Sequence, residues 1–439
     1  MKRYEKYKDS GIDWLKEIPE HWGLNKLKYE VSLKNEKVSS QDSKLTYIGM
    51  ENIESGTGRY IATDSEAEGL ANYFTEGDIL FGKLRPYLAK VFLAQTEGIC
   101  STEFLVFKCN ESNSNHFFHK LLLSPNFIEV VNSSTYGAKM PRANSEFVNN
   151  LKVPVPSLSE QTAIATFLDH KTAQIDALIE KKEQLIEKLK RQRQAIINEA
   201  VTKGLNPNAS MKDSGVEWLG KIPAHWEVVN FRYVIDILTD YTANGSFGDL
   251  AKNVTYLEEG YSRLIRLTDL REDLTNKGVY ISEESHNYLS KSELFGGEVL
   301  LANVGAYSGL AWLMPRNVGK ASLAPNMFLL KFKEQLNNEY AYNAMISDYL
   351  SSQFKIKAIS AAQPKINKED VRTCLFLLPP QEEQLSINSF IKEKEMGYNL
   401  LMYKLEQSVE KLKLYRQSLI SEAVTGKIDV RDWETITTN

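Results

Sequence analysis

Two segments of this chain are written twice, and that duplication limits what it can fold into more than any other feature. Residues 8–22 read KDSGIDWLKEIPEHW and residues 212–226 read KDSGVEWLGKIPAHW, with ten of fifteen positions identical at an offset of 204. Residues 188–205 (KLKRQRQAIINEAVTKGL) match residues 411–428 (KLKLYRQSLISEAVTGKI) at ten of eighteen positions, now at an offset of 223. A repeat of this length makes each copy a folding unit of its own. The offset grows by 19 residues between the anchors, so the second copy carries extra chain. The stretches between anchors match poorly. Closely similar frames around divergent inserts predict one mechanical job done on two different targets.

Each copy ends in a segment without Pro and rich in Glu, Lys, Gln, Leu and Ile, which are strong helix formers. The boundaries expected from these patterns are a globular domain over 1–156, a helix over 157–204, a second globular domain over 205–380, a second helix over 381–428 and a tail over 429–439. Pro154 and Pro156 stop any strand ahead of the first helix, and Ser157 or Ser159 can cap it. Apolar positions in the first helix step by four and three, through Ile164, Leu168, Ile175, Leu178, Leu185, Leu189 and Ile196, with polar members at Lys171, Lys182 and Gln192. Adding 223 reproduces the seam in the second helix, from Ile387 and Ile391 through Leu401, Leu405 and Leu412 to Tyr415 and Leu419, polar again at Lys394. This is the spacing of a coiled coil. The simplest pairing of the two helices is antiparallel, because the domain between them must return the chain. Ile179, Ile186, Ile197, Met402, Val409 and Ile420 widen the stripe, either to hold helices of another protein or to pack on the globular domains.

The globular halves mix short strands with helices. Strands are expected over 46–50, 78–81, 87–93 and 104–107 in the first half and over 264–267, 299–302, 310–314 and 327–332 in the second. Helices are expected over 115–124 and 339–351. The fold class is therefore α+β, with two globular domains, each with a curved or partly closed sheet, each followed by a long helix.

Two loops recur in each half. The first follows a Gly-acid-aliphatic strand, as Gly82-Lys83-Leu84-Arg85-Pro86-Tyr87 in one copy and Ala302-Asn303-Val304-Gly305-Ala306-Tyr307-Ser308-Gly309 in the other. The second precedes each long helix, as residues 134–142 and 360–368. Small residues let backbone approach phosphates, Lys and Arg neutralise them, and Arg, Asn and Gln read base edges. The DNA-binding candidates are Lys83, Arg85, Tyr87, Tyr136, Lys139, Arg142, Asn303, Tyr307, Ser308, Gln363, Lys365 and Lys368. A basic surface turn is commonly just a solvated turn, and repetition at matching places is what raises these above that reading. His21 and His225 recur without a repeated acid or nucleophile in a triad-like pattern, so the Trp-Ile-Pro-His-Trp frame is assigned to packing.

Composition excludes several function classes. The net charge of −4 neither supports nor opposes nucleic-acid binding, since a local patch can sit inside an acidic total. Three cysteines without a CxxC spacing suggest neither a disulfide framework nor zinc. The first residues lack an apolar signal region, and no stretch approaches the ~20 apolar residues of a membrane helix. A cytoplasmic protein that does not touch a membrane is expected. There is no GxxxxGK[ST] loop for ATP. The Pro-Pro pair at Pro379-Pro380 lacks the flanking residues of an adenine methyltransferase motif. No metal-binding acid cluster supports a stand-alone nuclease, and His116 and His119 on an apolar helix read as core-edge residues. No catalytic residue, metal site or cofactor is expected in this chain.

The DSG-x-x-W-L…IP-x-HW frame, the Pro-rich lead into Glu160-Gln161 and Glu383-Gln384, and the Glu-Ala-Val-Thr elements resemble the specificity subunits of Type I restriction-modification enzymes over essentially the whole chain. That resemblance implies that each globular half is a target-recognition domain. It implies that the long helices set domain separation and bind two modification (methyltransferase) subunits, which makes Ile179, Ile186, Ile197, Met402, Val409 and Ile420 partner-binding. It further implies restriction subunits with ATP-dependent translocase and nuclease activity, and a bipartite double-stranded DNA target with two unlike half-sites. The competing reading is a non-catalytic coiled-coil adaptor whose two domains bind proteins.

Overall fold

The computed structural model describes residues 2–40, 43–64, 69–137, 139–358 and 363–433. The chain forms two compact units, Met1–Gln184 with Leu405–Asn439, and Leu185–Lys404. Each unit holds one globular domain, the first half of the helix that follows it and the second half of the other helix.

In the first unit a four-stranded antiparallel sheet has the order Val31–Lys34, Phe104–Cys109, Ile79–Gly82, Val91–Leu93. The second unit repeats that order with Ile235–Asp240, Met327–Phe332, Val299–Ala302 and Ala311–Leu313. The central strands are apolar throughout because both faces of the sheet are covered. Ile79, Phe81, Leu105 and Phe107 point into the core shared with the helices, while Leu80, Phe104 and Val106 point into a smaller core under a second sheet. Val299, Leu301, Phe328 and Leu330 alternate in the same way with Leu300, Met327 and Leu329. The second sheet has four strands in the first unit and five in the second, with one parallel pair in each, 98–100 with 47–48 and 321–323 with 262–265. The extra chain of the second copy falls mainly after Ile235–Asp240, where a 3-10 turn, Tyr241–Asn244, and a helix, Phe247–Asn253, come before Ser262–Ile265.

The helix expected over 339–351 is two helices, Asn338–Ile346 and Asp348–Ala358. Ser347 breaks them with an extended backbone, and its hydroxyl donates to the Ala344 carbonyl at 2.6 Å. Ser124 does the same between Asn115–Leu123 and Pro125–Ser133, donating to Leu121 at 2.7 Å. Pro125 advertises the first break, whereas nothing so strong follows Ser347.

The long helices run over Leu158–Lys203 and Gln381–Val424. Their pairing is antiparallel within each unit. Ile164, Leu168 and Ile175 share a core with Leu419, Ile420, Ala423 and Val424, and Ile197, Ala200 and Val201 share one with Ile387 and Ile391. The buried stripe is not the heptad seam throughout. Leu178, Leu185, Leu401 and Tyr415, expected in the seam, are 41–49% exposed. Ile186, Ile197, Met402, Val409 and Ile420, read as partner-binding, are buried, and Ile179 is half-buried against the first unit's core. A straight helix of 3.6 residues per turn drifts by ~20° per heptad from a 3.5 repeat, so over four heptads the flanking positions rotate inward.

The repeated Glu-Gln at each helix start is a latch. Glu160 accepts from the Tyr4 hydroxyl at 2.7 Å and meets His21 Nε2 at 3.1 Å. Glu383 meets His225 Nε2 at 2.7 Å and accepts from Trp226 Nε1 at 2.9 Å. Gln161 accepts from the Ser114 amide and donates to the Pro156 carbonyl, and Gln384 does so with Asn337 and Pro379. Ser114 and Asn337 are the N-caps of corresponding helices, so one dipeptide ties the frame, the helix start and the globular domain together. The repeated histidines thus hold a structural carboxylate, and Trp22 and Trp226 are fully buried beside it.

Candidate nucleic-acid interface

In each unit the two candidate loops lie side by side, joined by main-chain hydrogen bonds at equivalent positions. In the first unit Lys83 N donates to Glu103 O at 2.9 Å, Ala143 N to Lys83 O at 2.8 Å, and Arg85 N to Pro141 O at 2.7 Å. In the second, Asn303 N donates to Asn326 O at 3.1 Å, Ile366 N to Asn303 O at 2.9 Å, and Gly305 N to Pro364 O at 2.8 Å. The same ladder therefore carries different side chains in the two copies.

The acid of each Gly-acid-aliphatic strand braces this arrangement. Asp78 accepts from the Thr75 amide and from Lys34 Nζ, both at 2.7 Å. Glu298 accepts from the Phe295 and Gly296 amides, both at 2.8 Å. Beyond the strand in the first unit, Arg85 has a left-handed backbone (φ 49°), which turns the chain into the 3-10 turn Pro86–Leu88 and leaves Tyr87 exposed. Tyr136 faces Arg142 across mutual main-chain bonds, and its ring is 63% exposed. Lys83 is half-buried, while Lys139 is exposed with Met140. Arg142 is not a free cation: its guanidinium forks onto Glu103, with Nε and Nη2 each 3.1 Å from a carboxylate oxygen. The Glu103 carboxylate holds that guanidinium above its ordinary pKa. Ala138 lies outside the described residues.

In the second unit Tyr307 lies under Arg271, whose guanidinium carbon is 4.3 Å from the ring centroid. Ser308 is buried, and among the described residues neither its hydroxyl nor the Asn303 side-chain oxygen has a hydrogen-bond partner. Gln363 and Lys365 are exposed, and Ser360 to Ala362 lie outside the described residues. Lys368 is held by Asp240 at 3.1 Å. Among the described residues, the loop cations without an ion pair are thus Lys83, Arg85 and Lys139 in one unit and Lys365 in the other, where Arg271 is engaged with the Tyr307 ring. Comparison of the two copies misses Arg271 because it lies in the stretch where they match poorly. It misses Glu103 because the equivalent position is Asn326. Among the described residues, no group of three or more His, Cys, Asp or Glu could hold a metal ion. No helix among them is long and apolar enough to cross a membrane.

Residues 20–188 match the family model of the Type I restriction modification DNA specificity domain. The chain is 24% identical over 390 residues to the Type I restriction enzyme MjaVIII specificity subunit of Methanocaldococcus jannaschii, covering 85% of this chain and 86% of that one. Among solved structures, it resembles a chain from work on complex assembly and conformational transition of the type I R-M system, with a TM-score of 0.71 at 18% identity, over 94% of this chain and 99% of that one. It also resembles the HsdS subunit from Thermoanaerobacter tengcongensis, with a TM-score of 0.52 at 19% identity, over 96% of this chain and all of that one. The fold shared with these structures is two domains, each followed by a long helix, and the DNA specificity domain match falls on the first domain and the helix after it. Over most of its length the chain is similar to specificity subunits of Type I restriction enzymes.

Proposed function

We propose that the chain recognises double-stranded DNA through the two knit loop pairs, one per unit, and so reads a bipartite target with unlike halves. The observation that carries this reading is the main-chain ladder repeated in both units and bearing different side chains. A shared main-chain scaffold sets position, and the divergent side chains set which bases fit. Lys83, Arg85, Tyr87, Tyr136 and Lys139 serve one half-site, with Arg142 acting through Glu103. Asn303, Tyr307, Ser308, Gln363 and Lys365 serve the other, with Arg271 added and Lys368 anchored by Asp240.

The chain works as the non-catalytic, cytoplasmic recognition subunit of a larger enzyme. It positions two methyltransferase subunits, and restriction subunits with them, on the target. Residues 1–156 and 205–380 are its two target-recognition domains, joined to the helices that space them. The exposed apolar residues of those helices, Leu178, Leu185, Leu401, Leu414 and Tyr415, are better placed to meet partner subunits than the buried positions beside them.

Replacing Lys83 and Arg85 by Ala tests the assignment. Selection from DNA with both half-sites randomised should show preference at one half-site lowered by roughly tenfold to a hundredfold, in line with about 1–3 kcal/mol per lost contact. Preference at the other should be unchanged. An equal loss at both half-sites would sink the assignment.

A further inference from the structure

The two units differ at one place where their sequences call for the same packing. In the first unit the chain after the second long helix folds back on its base. Trp433 stands edge-on to Phe167 with ring centroids 5.3 Å apart, and also meets His170. Ile428 and Val430 are buried in the same core, and Asp429 N donates to Lys2 O at 2.9 Å. Phe167, Leu419, Leu15 and Ile428 are all under 6% exposed there.

The equivalent residues of the second unit are Phe390, Ile196, Leu219 and Leu205. They keep their apolar character and lose their cover. Phe390, Ile196 and Leu219 are half-buried, Leu205 is 37% exposed, and Met211 beside them is 40% exposed. Together they line a groove of about 830 Å³. The short link 205–210 supplies no counterpart of Trp433, and Phe390, packed at the edge of the second unit's core, has the Lys394 ammonium 5.4 Å from its ring centroid. The groove is also more positive than its filled counterpart. Its lining has Lys203-Gly204 where the first unit has Gly426-Lys427, and Glu199 where it has Glu422, so the difference in lining charge comes from Lys221 standing in place of Glu17. The segment that fills the first unit's groove carries Asp429 and Asp432 ahead of Trp433.

We infer that the groove at Phe390 is a docking site for a segment of a second protein that presents a Trp or Phe beside carboxylates. Apolar surface kept open next to added positive charge fits such an occupant, and the filled copy supplies its template.

The probe is a fluorescently labelled peptide with the sequence of residues 428–433, titrated into the full-length chain and followed by anisotropy. Saturable binding with a Kd below about 1 mM is expected. Phe390→Asp should weaken it at least tenfold, and so should Trp→Ala in the peptide. Lys221→Glu, on the rim, should weaken it severalfold while the helical circular dichroism and melting curve stay unchanged, which separates loss of the site from loss of fold. Absence of saturation overturns the assignment. So does binding that ignores both Phe390→Asp and Lys221→Glu, since that would report exchange with the chain's own tail at Phe167.

Discussion

At single residues, the two helix ends show how closely the frame is fitted. Gly204 and Gly426 close the long helices with φ of 73° and 72°. A methyl group on Gly426 would sit 2.3 Å from Pro19 Cδ and 3.1 Å from Trp22, while one on Gly204 would meet the movable Glu383 carboxylate at 2.6 Å. The backbone term alone costs about 1–2 kcal/mol. Gly426→Ala should therefore lower the urea midpoint more than Gly204→Ala, and equal effects would show that the Pro19–Trp22 surface yields freely. His119 makes a second residue-level prediction. Burial pushes its pKa down to about 3, with the ring nitrogen 3.1 Å from the Val91 carbonyl. The unfolded chain, with an ordinary value near 6.5, then binds the proton that the folded chain refuses. Stability from this group is intact above about pH 6.5 and falls as pH drops toward 3, by up to about 1.4 kcal/mol per pH unit. His119→Gln should reduce the pH slope of the unfolding free energy between pH 4 and 6, and an unchanged slope would refute the buried neutral ring.

Among elements, the helix pair carries polar contacts at equivalent places in the two units. In the first, Asp176 sits 2.6 Å from Arg59 and 2.9 Å from Arg416, and Arg416 donates to the Gly56 carbonyl at 3.2 Å. This fastens the loop around Gly56 to both helices. In the second, the equivalent pair is Arg193 with Asn399 at 3.1 Å, in a more exposed setting. Removing one partner of a buried pair leaves the other unpaired, so Asp176→Ala should cost about 3 kcal/mol. Asn399→Ala should cost less than about 1 kcal/mol. Chemical denaturation of the two variants distinguishes them, and similar losses would mean that the Arg416 site is not desolvated. The elements also show what sequence reading reaches. Helix existence, the antiparallel pairing and strands such as Val299–Ala302 were legible, because apolar runs and internal repetition record burial directly. The edge strands Gly23–Lys26 and Lys152–Val155 were not, being short and half-polar. The loop residues were legible as repeated positions. Their joining through Arg85 and Pro141 was not, because main-chain bonds leave no mark on side-chain identity. The exposure of Leu178, Leu185, Leu401 and Tyr415 was not legible either, since helical drift accumulates too slowly to see in any one heptad.

For the whole molecule, the proposed reading predicts an asymmetric target, because a duplicated frame holds two dissimilar loop pairs. Inserting four residues at matching points in both long helices would lengthen each by about 6 Å. The preferred spacer between half-sites should then change while each half-site keeps its bases, as read by methylation mapping, and altered half-sites would contradict a spacing role for the helices. The central claim is that this one chain specifies a two-part DNA site. Genome-wide mapping of methylated adenine in cells with and without the chain tests it most directly. Methylation should mark two unlike short sequences separated by a fixed number of unspecified positions, and those marks should vanish when the chain is deleted. An unchanged methylation map, or a lost motif that is contiguous or palindromic, would contradict the claim.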